Sequence, residues 1–525
     1  MESKNMAMEA AADAPVNLRE LLEKRAEKFA DKTFLFSEAD SRSYSYEEFD
    51  AAVNRTVRML AVNGIAKGDK VSLLMPNSAE YIVAYFACFK LGAPAGPINS
   101  LLKPGEMAYI ISNSEAKALL VHSEFTPQIE SIAGELPLLD AIIEFDDERA
   151  ATSGFSGERD HLPVADIAAE DDAIIIYTSG TTGKPKGCLL THGNLIANAR
   201  QIAQWLGFTG ADRLLTMMPL FHMNAVSVTT MTPLFAGGST VVSPKFSASR
   251  FWQIISEYEV TSFGSVATML SMLLEKFPDG IPAGLKTEQL RFAMCGSAPV
   301  PAEVLRRFEE TFDCLVIEGY GLSESTCRST FNPPDQRRRP GSCGMPIGNE
   351  MKIVDEEGSE VADGSLGEIV LRGENILKGY YKNPDANERS FRGGWFHTGD
   401  IGYKDEDGFF YIADRKSDMI IRGGENIYPR EIDETLYEHP AIAAAATIGI
   451  PDPLYGEEVT AVVVLKEGES VTEEELLGYC RERMADFKSP KTIHFVEEIP
   501  KGPTGKLLKR ELAKQFAGKE SEGTS

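Results

Sequence analysis

The sequence predicts an α/β protein with a large N-terminal domain of layered sheets and helices and a small C-terminal α/β domain. Three observations carry this expectation. Short apolar runs alternate with amphipathic stretches over the first 400 residues, the texture then turns polar and charged, and the remaining chain holds helix and strand patterns of its own. The apolar runs Lys70 to Met75, Ala118 to Val121 and Ala173 to Tyr177 read as strands. They are continuous rather than alternating, which is how parallel strands buried on both faces read. Glu47 to Val62 and Ala79 to Leu91 read as the helices that cover them. Tyr403-Lys-Asp-Glu-Asp-Gly408 reads as a hairpin turn, and the charged segment from Asp414 marks a change of domain. Beyond it, Pro429 to His439 and Thr472 to Met484 read as helices and Val459 to Leu465 as a strand, enough for a small separate domain. The expected organisation is a loose tail at 1–15, a first domain at 16–413, a hinge at 414–418 and a second domain at 419–525, with a disordered end from Gly518.

A chain of 525 residues exceeds what one core usually organises, and its 43% hydrophobic content suffices for two. The net charge of −26 disfavours nucleic acid and anionic membrane as partners, since both select Lys and Arg. An anionic ligand must then be met by local positive charge. The seven cysteines form no C-x-x-C pair and are odd in number, which argues for reduced thiols rather than a disulfide framework or zinc site. Met1 to Pro15 lacks the basic start and apolar run of a secretory signal, no stretch reaches the length of a membrane span, and the terminal Gly-Thr-Ser does not match the peroxisomal tripeptide. A cytoplasmic protein without an integral membrane segment is expected.

The strongest chemical signal is Tyr177-Thr-Ser-Gly-Thr-Thr-Gly-Lys-Pro-Lys-Gly187, which follows a strand-like run. Its glycines let backbone N–H groups turn inward around an anion, while its hydroxyls and ammonium groups add donors. It is no Walker A loop, because Lys184 is followed by Pro185 rather than Ser or Thr. Downstream, Glu318-Gly-Tyr-Gly-Leu-Ser-Glu324 combines small residues for close approach, a ring at Tyr320 for stacking on a purine, and a hard oxygen ligand at Glu324. Asp400 ends the Gly-rich stretch from Gly394, and its carboxylate can accept two hydrogen bonds from a vicinal diol. Taken singly, Gly-x-Gly and Thr-Gly-Asp are ordinary turn chemistry.

Together and in this order, these segments resemble the acyl-adenylate-forming superfamily, which includes acyl-CoA synthetases, peptide-synthetase adenylation domains and firefly-type luciferases. Asp414-Arg-Lys-Ser-Asp418 is similar to the family's hinge and Lys501-Gly-Pro-Thr-Gly-Lys506 to its catalytic-lysine loop. The resemblance implies an AMP-forming acyl-CoA ligase that uses ATP, Mg2+ and coenzyme A. It implies phosphate contacts from Thr178, Ser179, Gly180, Thr181, Thr182, Gly183, Lys184 and Lys186, and adenylate contacts from Ser297, Ala298, Glu318, Gly319, Tyr320 and Gly321. Ser323 would meet the α-phosphate, Glu324 the magnesium ion, and Asp400 and Arg415 the ribose. Lys506 would stabilise the charge that develops as a carboxylate attacks the α-phosphate. The small domain is expected to be mobile, pivoting at Ser417, where the family usually carries Asp or Lys, and placing Gly424 and Glu425 beside the CoA arm.

Pro219-Leu-Phe-His-Met-Asn224 matches the family region that gates the acyl pocket, which His222, Ser297 and Gly321 would line. Members that activate amino acids carry Asp where this chain has His222, and a neutral imidazole cannot anchor an ammonium group. The second wall, Ala293 to Pro299, and Gly264 to Thr268 are small or apolar and uncharged, so a medium- or long-chain fatty acid is expected. A carrier-protein acceptor in place of CoA, or a non-catalytic acyl- or nucleotide-binding homologue, are the rival readings; a homodimer is left open.

Overall fold

The computed structural model describes residues 15–178, 184–296, 302–423, 425–501 and 507–520. The N-terminal part contains two seven-stranded sheets. One runs, in spatial order, Gly379–Tyr380, Lys186–Thr191, Asp172–Thr178, Ala95–Pro97, Lys70–Leu74, Ala116–Val121 and Ala141–Glu144. Its last five strands are parallel, while the first two are added antiparallel. The other sheet runs Leu315–Glu318, Phe292–Cys295, Ser262–Ser265, Arg213–Thr216, Ser239–Val242, Thr33–Ser37 and Ser43–Ser45, with only the final pair antiparallel. The first of these sheets holds all three strands that the apolar runs predict, at 70–74, 116–121 and 172–178.

The covering helices show why they bury where they do. Ala79–Leu91 is apolar all round except at its ends, and every residue of it is buried, as such a helix must be. Ser78 caps it by accepting from Tyr81 N at 3.1 Å, and Gly92, at φ 74°, ends it in the left-handed conformation. Tyr46–Val62, which packs on it, starts with a capping box between Ser45 and Glu48. The helix His192–Leu206 has the same device at Thr191 and Asn194.

A third, antiparallel sheet is centred on Trp395–Lys404, which pairs with Gly367–Arg372, Phe391–Arg392 and Phe410–Arg415. The hairpin expected at Tyr403 to Gly408 is its turn, where Gly408 N donates to Asp405 O at 3.0 Å and Gly408 takes φ 87°. After the turn at 416–418 comes the C-terminal sheet. Gly456–Leu465 is flanked there by Ile442–Asp452 and Ile420–Arg422 antiparallel and by Thr492–Phe495 parallel. Its helices are Pro429–Tyr437, Glu473–Arg481 and Lys509–Glu520. Thr472 is the cap of the second of these rather than its first turn. The third corrects the expected disordered end for residues 518–520, since the helix continues through Glu520, while 521–525 lie outside the described residues. Its buried Leu512 and Phe516 pack with Ile448, Ile450 and Val462, and that burial anchors the helix.

Candidate active site

The strands Asp172–Thr178 and Lys186–Thr191 pair with Tyr177 opposite Gly187 and Thr178 opposite Lys186. This register fixes both ends of the segment that contains Ser179, Gly180, Thr181, Thr182 and Gly183, which lie outside the described residues. The Thr178 hydroxyl donates to Glu324 Oε1 at 3.4 Å, and the Tyr380 hydroxyl donates to the same oxygen at 3.0 Å. Lys186 Nζ lies 5.2 Å from the Tyr380 ring centroid, and Lys184 Nζ lies 5.3 Å from that of Tyr109. Two of the expected phosphate-binding cations are therefore held against aromatic faces, and one of those rings, Tyr380, also contacts Glu324.

Glu318 closes the strand Leu315–Glu318 and is buried, accepting from Gly341 N at 3.0 Å. Burial pushes its carboxyl up to about 8, so the group holds a proton at neutral pH. Gly319 and Gly321 have no room for a side chain. A Cβ on Gly319 would lie 2.5 Å from the Phe331 ring, and one on Gly321 would collide with Cys327 O and lie 2.7 Å from Arg328 Cα. The segment is thus pressed onto the strand that follows it, which points Tyr320 toward the third sheet.

There Tyr320 donates its hydroxyl to Asp400 Oδ2 at 2.5 Å, and Arg415 Nε lies 3.2 Å from Asp400 Oδ1. Asp400 and Arg415 are direct cross-strand neighbours, so the sheet register itself makes this pair. Each carboxylate oxygen keeps a second lone pair, which a ribose diol can use. Ser323 stands one residue before Glu324 at the start of a 3-10 turn.

These groups open on a cleft of ≈ 570 Å³. Gly296, Gly319, Tyr320, Gly321, Asp400 and Arg415 line it from the first domain. Lys466, Lys501, Leu507 and Lys509 line it from the second. Carboxylates line the cleft as well, among them Asp400, Asp414 and Asp433, the last of which pairs with Lys509 at 2.7 Å. Lys506 lies outside the described residues, but Lys501 and Leu507 on either side of its segment pair as a β-bridge at the cleft. Ser417 is exposed in the turn at 416–418, its hydroxyl donating to Asp418 Oδ1 at 2.9 Å. Glu425 is exposed, pairs with Arg422 across a short strand pair and does not line the cleft; Gly424 lies outside the described residues.

On the acyl side, Ser297 and Ala298 also lie outside the described residues. Val266, Ala267 and Thr268 line the cleft as the sequence expects. His222 sits in a tight turn, its N–H donating to Pro219 O at 3.0 Å, with its ring 4.7 Å from Phe221. Burial pushes its imidazole down to about 4, so it is neutral. Its Nε2 is buried with no hydrogen-bond partner among the described residues.

Two residues near this site are absent from the sequence reading. Tyr380 belongs to the short strand Gly379–Tyr380, and nothing local marks its hydroxyl for Glu324, 56 positions away. Arg328 follows the adenine-type segment at four residues' remove; the available signal was a lone cation set among Ser, Thr and Cys.

A cleft between a large α/β domain and a small one, lined by Tyr320, Asp400 and Arg415 from one and by Lys501 and Leu507 from the other, is the architecture of a two-domain enzyme. Residues 22–381 match the AMP-binding enzyme family and residues 431–506 its C-terminal domain. Sulfoacetate–CoA ligase of Cupriavidus necator is 36% identical over 94% of this chain and 97% of its own length. A long-chain-fatty-acid–CoA ligase of Mycobacterium tuberculosis is 35% identical over 90% of this chain and 93% of its own. ATP-bound MatB from Rhodopseudomonas palustris superimposes with a TM-score of 0.89 at 31% identity, covering 95% of this chain and 99% of that one. The same enzyme without ATP gives 0.78 at the same identity and coverage. This chain belongs to the AMP-binding enzyme family, and it is an AMP-forming acid–CoA ligase that uses ATP and CoA. No helix among the described residues is long and apolar enough to cross a membrane.

Proposed function

We propose that this cytoplasmic ligase joins its acid to AMP in the cleft between the domains and then passes the acyl group to CoA after the small domain has turned about Ser417. The observation that carries the reading is the convergence of Tyr320, Asp400 and Arg415 with the base of the lysine loop, Lys501 and Leu507, on one cleft. Tyr320 and Gly319 receive the adenine, and protonated Glu318 offers an O–H donor beside it. Asp400 and Arg415 hold the ribose. Thr178, Lys184, Lys186, Ser323 and the loop at Ser179 to Gly183 hold the phosphates.

A free carboxylate is a poor acyl donor, since its charge repels nucleophiles and oxide leaves badly. Attack of the carboxylate on the α-phosphorus forms an acyl–phosphate bond and breaks the bond to diphosphate, leaving AMP as a good leaving group. Lys506 lowers that barrier by placing an ammonium against the charge gathering on the phosphoryl oxygens. The CoA sulfur then attacks the same carbonyl and AMP departs. The residues present fit a magnesium ion, because Mg2+ is held by one or two carboxylates together with substrate phosphates and water, and Glu324 presents a carboxylate with the Thr178 hydroxyl beside it. When bound, the ion neutralises phosphate charge.

The closer match to ATP-bound MatB than to its ATP-free form supports reading this arrangement as that of the first step. Glu425, away from the cleft here, and Gly424 beside it in sequence are then the face that the turn brings in for CoA. The uncharged walls alone support the fatty acid expected from sequence, as does the mycobacterial relative; a buried guanidinium behind those walls weighs against it. Diphosphate release from magnesium-ATP, measured over fatty, aromatic, short-chain and amino acids with and without CoA, tests the reading. Release that depends on one acid class and is completed by CoA is expected. Full release followed by transfer only to a carrier-protein pantetheine would replace CoA as the acceptor, and no acid-dependent release would defeat the proposal.

A further inference from the structure

Arg328 is the least expected residue in the interior, buried to 1% exposure. Its backbone cannot swing outward, because Asn198 Nδ2 donates to its carbonyl at 2.7 Å and Asn375 Nδ2 at 3.1 Å. The side chain lies with Cζ 5.3 Å from the Phe331 ring centroid and runs behind the glycines of the cleft. A Cβ on Gly296 would come 2.8 Å from Arg328 Nη2, and one on Gly321 2.7 Å from Arg328 Cα. Both glycines line the cleft. Yet Nε and Nη2 have no hydrogen-bond partner, and no carboxylate pairs with the guanidinium among the described residues. Arginine cannot shed its charge as a buried lysine can, so a buried guanidinium with two nitrogens unsatisfied and a ring face beside it is costly to keep.

A second set of groups points to the same place. Both side-chain polar atoms of Asn224 are buried without partners, and a Cβ on Gly264 would lie 2.9 Å from its Oδ1. Gly264 pairs with Met294 on the adjacent parallel strand, two residues before Gly296. The two glycines therefore open the same face of the sheet, about 8 Å apart by strand geometry. Against that face stand a permanent cation at Gly296 and a neutral carboxamide at Gly264. Buried polar groups are hydrogen-bonded as a rule, and two such residues at one wall, set behind the cleft-lining Gly296 rather than in the cleft itself, are candidates to be completed by a ligand.

We propose that Arg328 determines the acid specificity of this ligase by binding a second anionic group, carboxylate or sulfonate, at the end of the acid remote from the carboxylate that reacts. Asn224 supplies a neutral donor beside it. The inference rests on the ligase reading, and it replaces the fatty chain by a compact acid with charge at both ends. A chain of methylenes would leave the guanidinium buried against carbon.

The test uses the full-length protein and matched acids, with CoA-dependent AMP formation as the readout. The pairs are succinate and glutarate against their monomethyl esters, and 3-sulfopropionate against 3-(methylsulfonyl)propionate, with octanoate and palmitate alongside. We expect kcat/KM for at least one doubly charged acid to exceed that of its neutral-ended partner by 100-fold or more, with a carboxylate or sulfonate preference naming the group. Arg328→Met should bring that ratio to within a few-fold of one, Arg328→Lys should keep part of it, and ATP-induced thermal stabilisation reports that each variant is folded. If Arg328→Met does not fold, the wild-type ratio and Arg328→Lys carry the decision. Equal use of the monoesters or of octanoate by the wild type overturns the proposal while leaving the ligase intact. So does an Arg328→Met variant that loses all acids equally, which would put the guanidinium on the reacting carboxylate or in the scaffold. Absence of acid-dependent release across the whole panel overturns the ligase reading and this proposal with it.

Discussion

At the scale of single residues, the site depends on groups whose state is set by burial. Glu318 is protonated in the fold up to about 8, against an ordinary value of 4.5. Between those values the folded protein holds a proton that the unfolded chain releases. The contribution is therefore full below 4.5 and is lost as pH rises through about 8, with a slope of at most about 1.4 kcal/mol per pH unit. Glu318→Gln keeps the acceptor for Gly341 N without a charge to form. Thermal denaturation should show the variant matching the wild type at pH 5 and exceeding it at pH 8.5; a constant gap at both would deny the buried proton. Gly321 gives a second prediction. With Cys327 O and Arg328 Cα where its Cβ would go, Gly321→Ala must displace the adenine segment, and a shift of about 1 Å at reacting groups costs on the order of 100-fold in rate. Acid-dependent diphosphate release should fall by that factor with the fold retained by circular dichroism, and unchanged release would show that the segment yields. Both residues were read as site positions through the resemblance carried by Glu318 to Glu324, since Gly-x-Gly taken alone is ordinary turn chemistry. Arg328 was not, since burial and lack of a partner are properties of neighbours that the chain brings from Asn198, Gly296 and Asn375.

Among the elements, helix Ala79–Leu91 shows what periodicity reveals and what it hides. The sequence reads it as an amphipathic stretch with the right ends, which Ser78 and Gly92 cap, but the helix is buried on every side, so the amphipathic reading is corrected. The same stretch concealed that Lys90 is buried and bound by Asp50, Asn54 and Glu23, residues of two other helices. Removing one partner of a buried ion pair costs about 3–5 kcal/mol, because the other charge stays behind. Lys90→Met should lower the unfolding free energy by that order in urea titrations, lessened where Arg159, 2.8 Å from Asp50 Oδ2, takes up the charge. Adding Asp50→Asn should recover part of the loss; a double variant worse than the single one would mean that packing, not charge, holds the helices together. Strand limits were legible to within a few residues where runs were apolar. The short strands Gly379–Tyr380 and Phe391–Arg392 carry too few residues for any pattern, and it is the first of them that delivers Tyr380 to Glu324.

For the whole molecule, the sequence order of motifs made two domains legible, but their contact is a matter of geometry. Arg430, at the start of the helix Pro429–Tyr437, is the clasp. Its backbone N–H donates to Asp414 Oδ2 at 2.9 Å, its Nη1 donates to Ile412 O, and its charge reaches buried Glu318 and Cys343 across the cleft. Those bonds tie the small domain to the strand Phe410–Arg415 in the arrangement that sets Lys501 and Leu507 at the nucleotide site. If the domain must leave this arrangement for the thiol to reach the carbonyl, the clasp belongs to the first step alone. Arg430→Ala should therefore slow diphosphate release several-fold while leaving acyl transfer to CoA from preformed acyl-adenylate near the wild-type rate. Two half-reactions slowed alike would mean that Arg430 serves the site in both arrangements and that the small domain need not turn away from it. The uneven result would instead make the domain contact a device that favours adenylation until the chemistry is done, which is why a single cleft can serve both an attack at phosphorus and an attack at carbon.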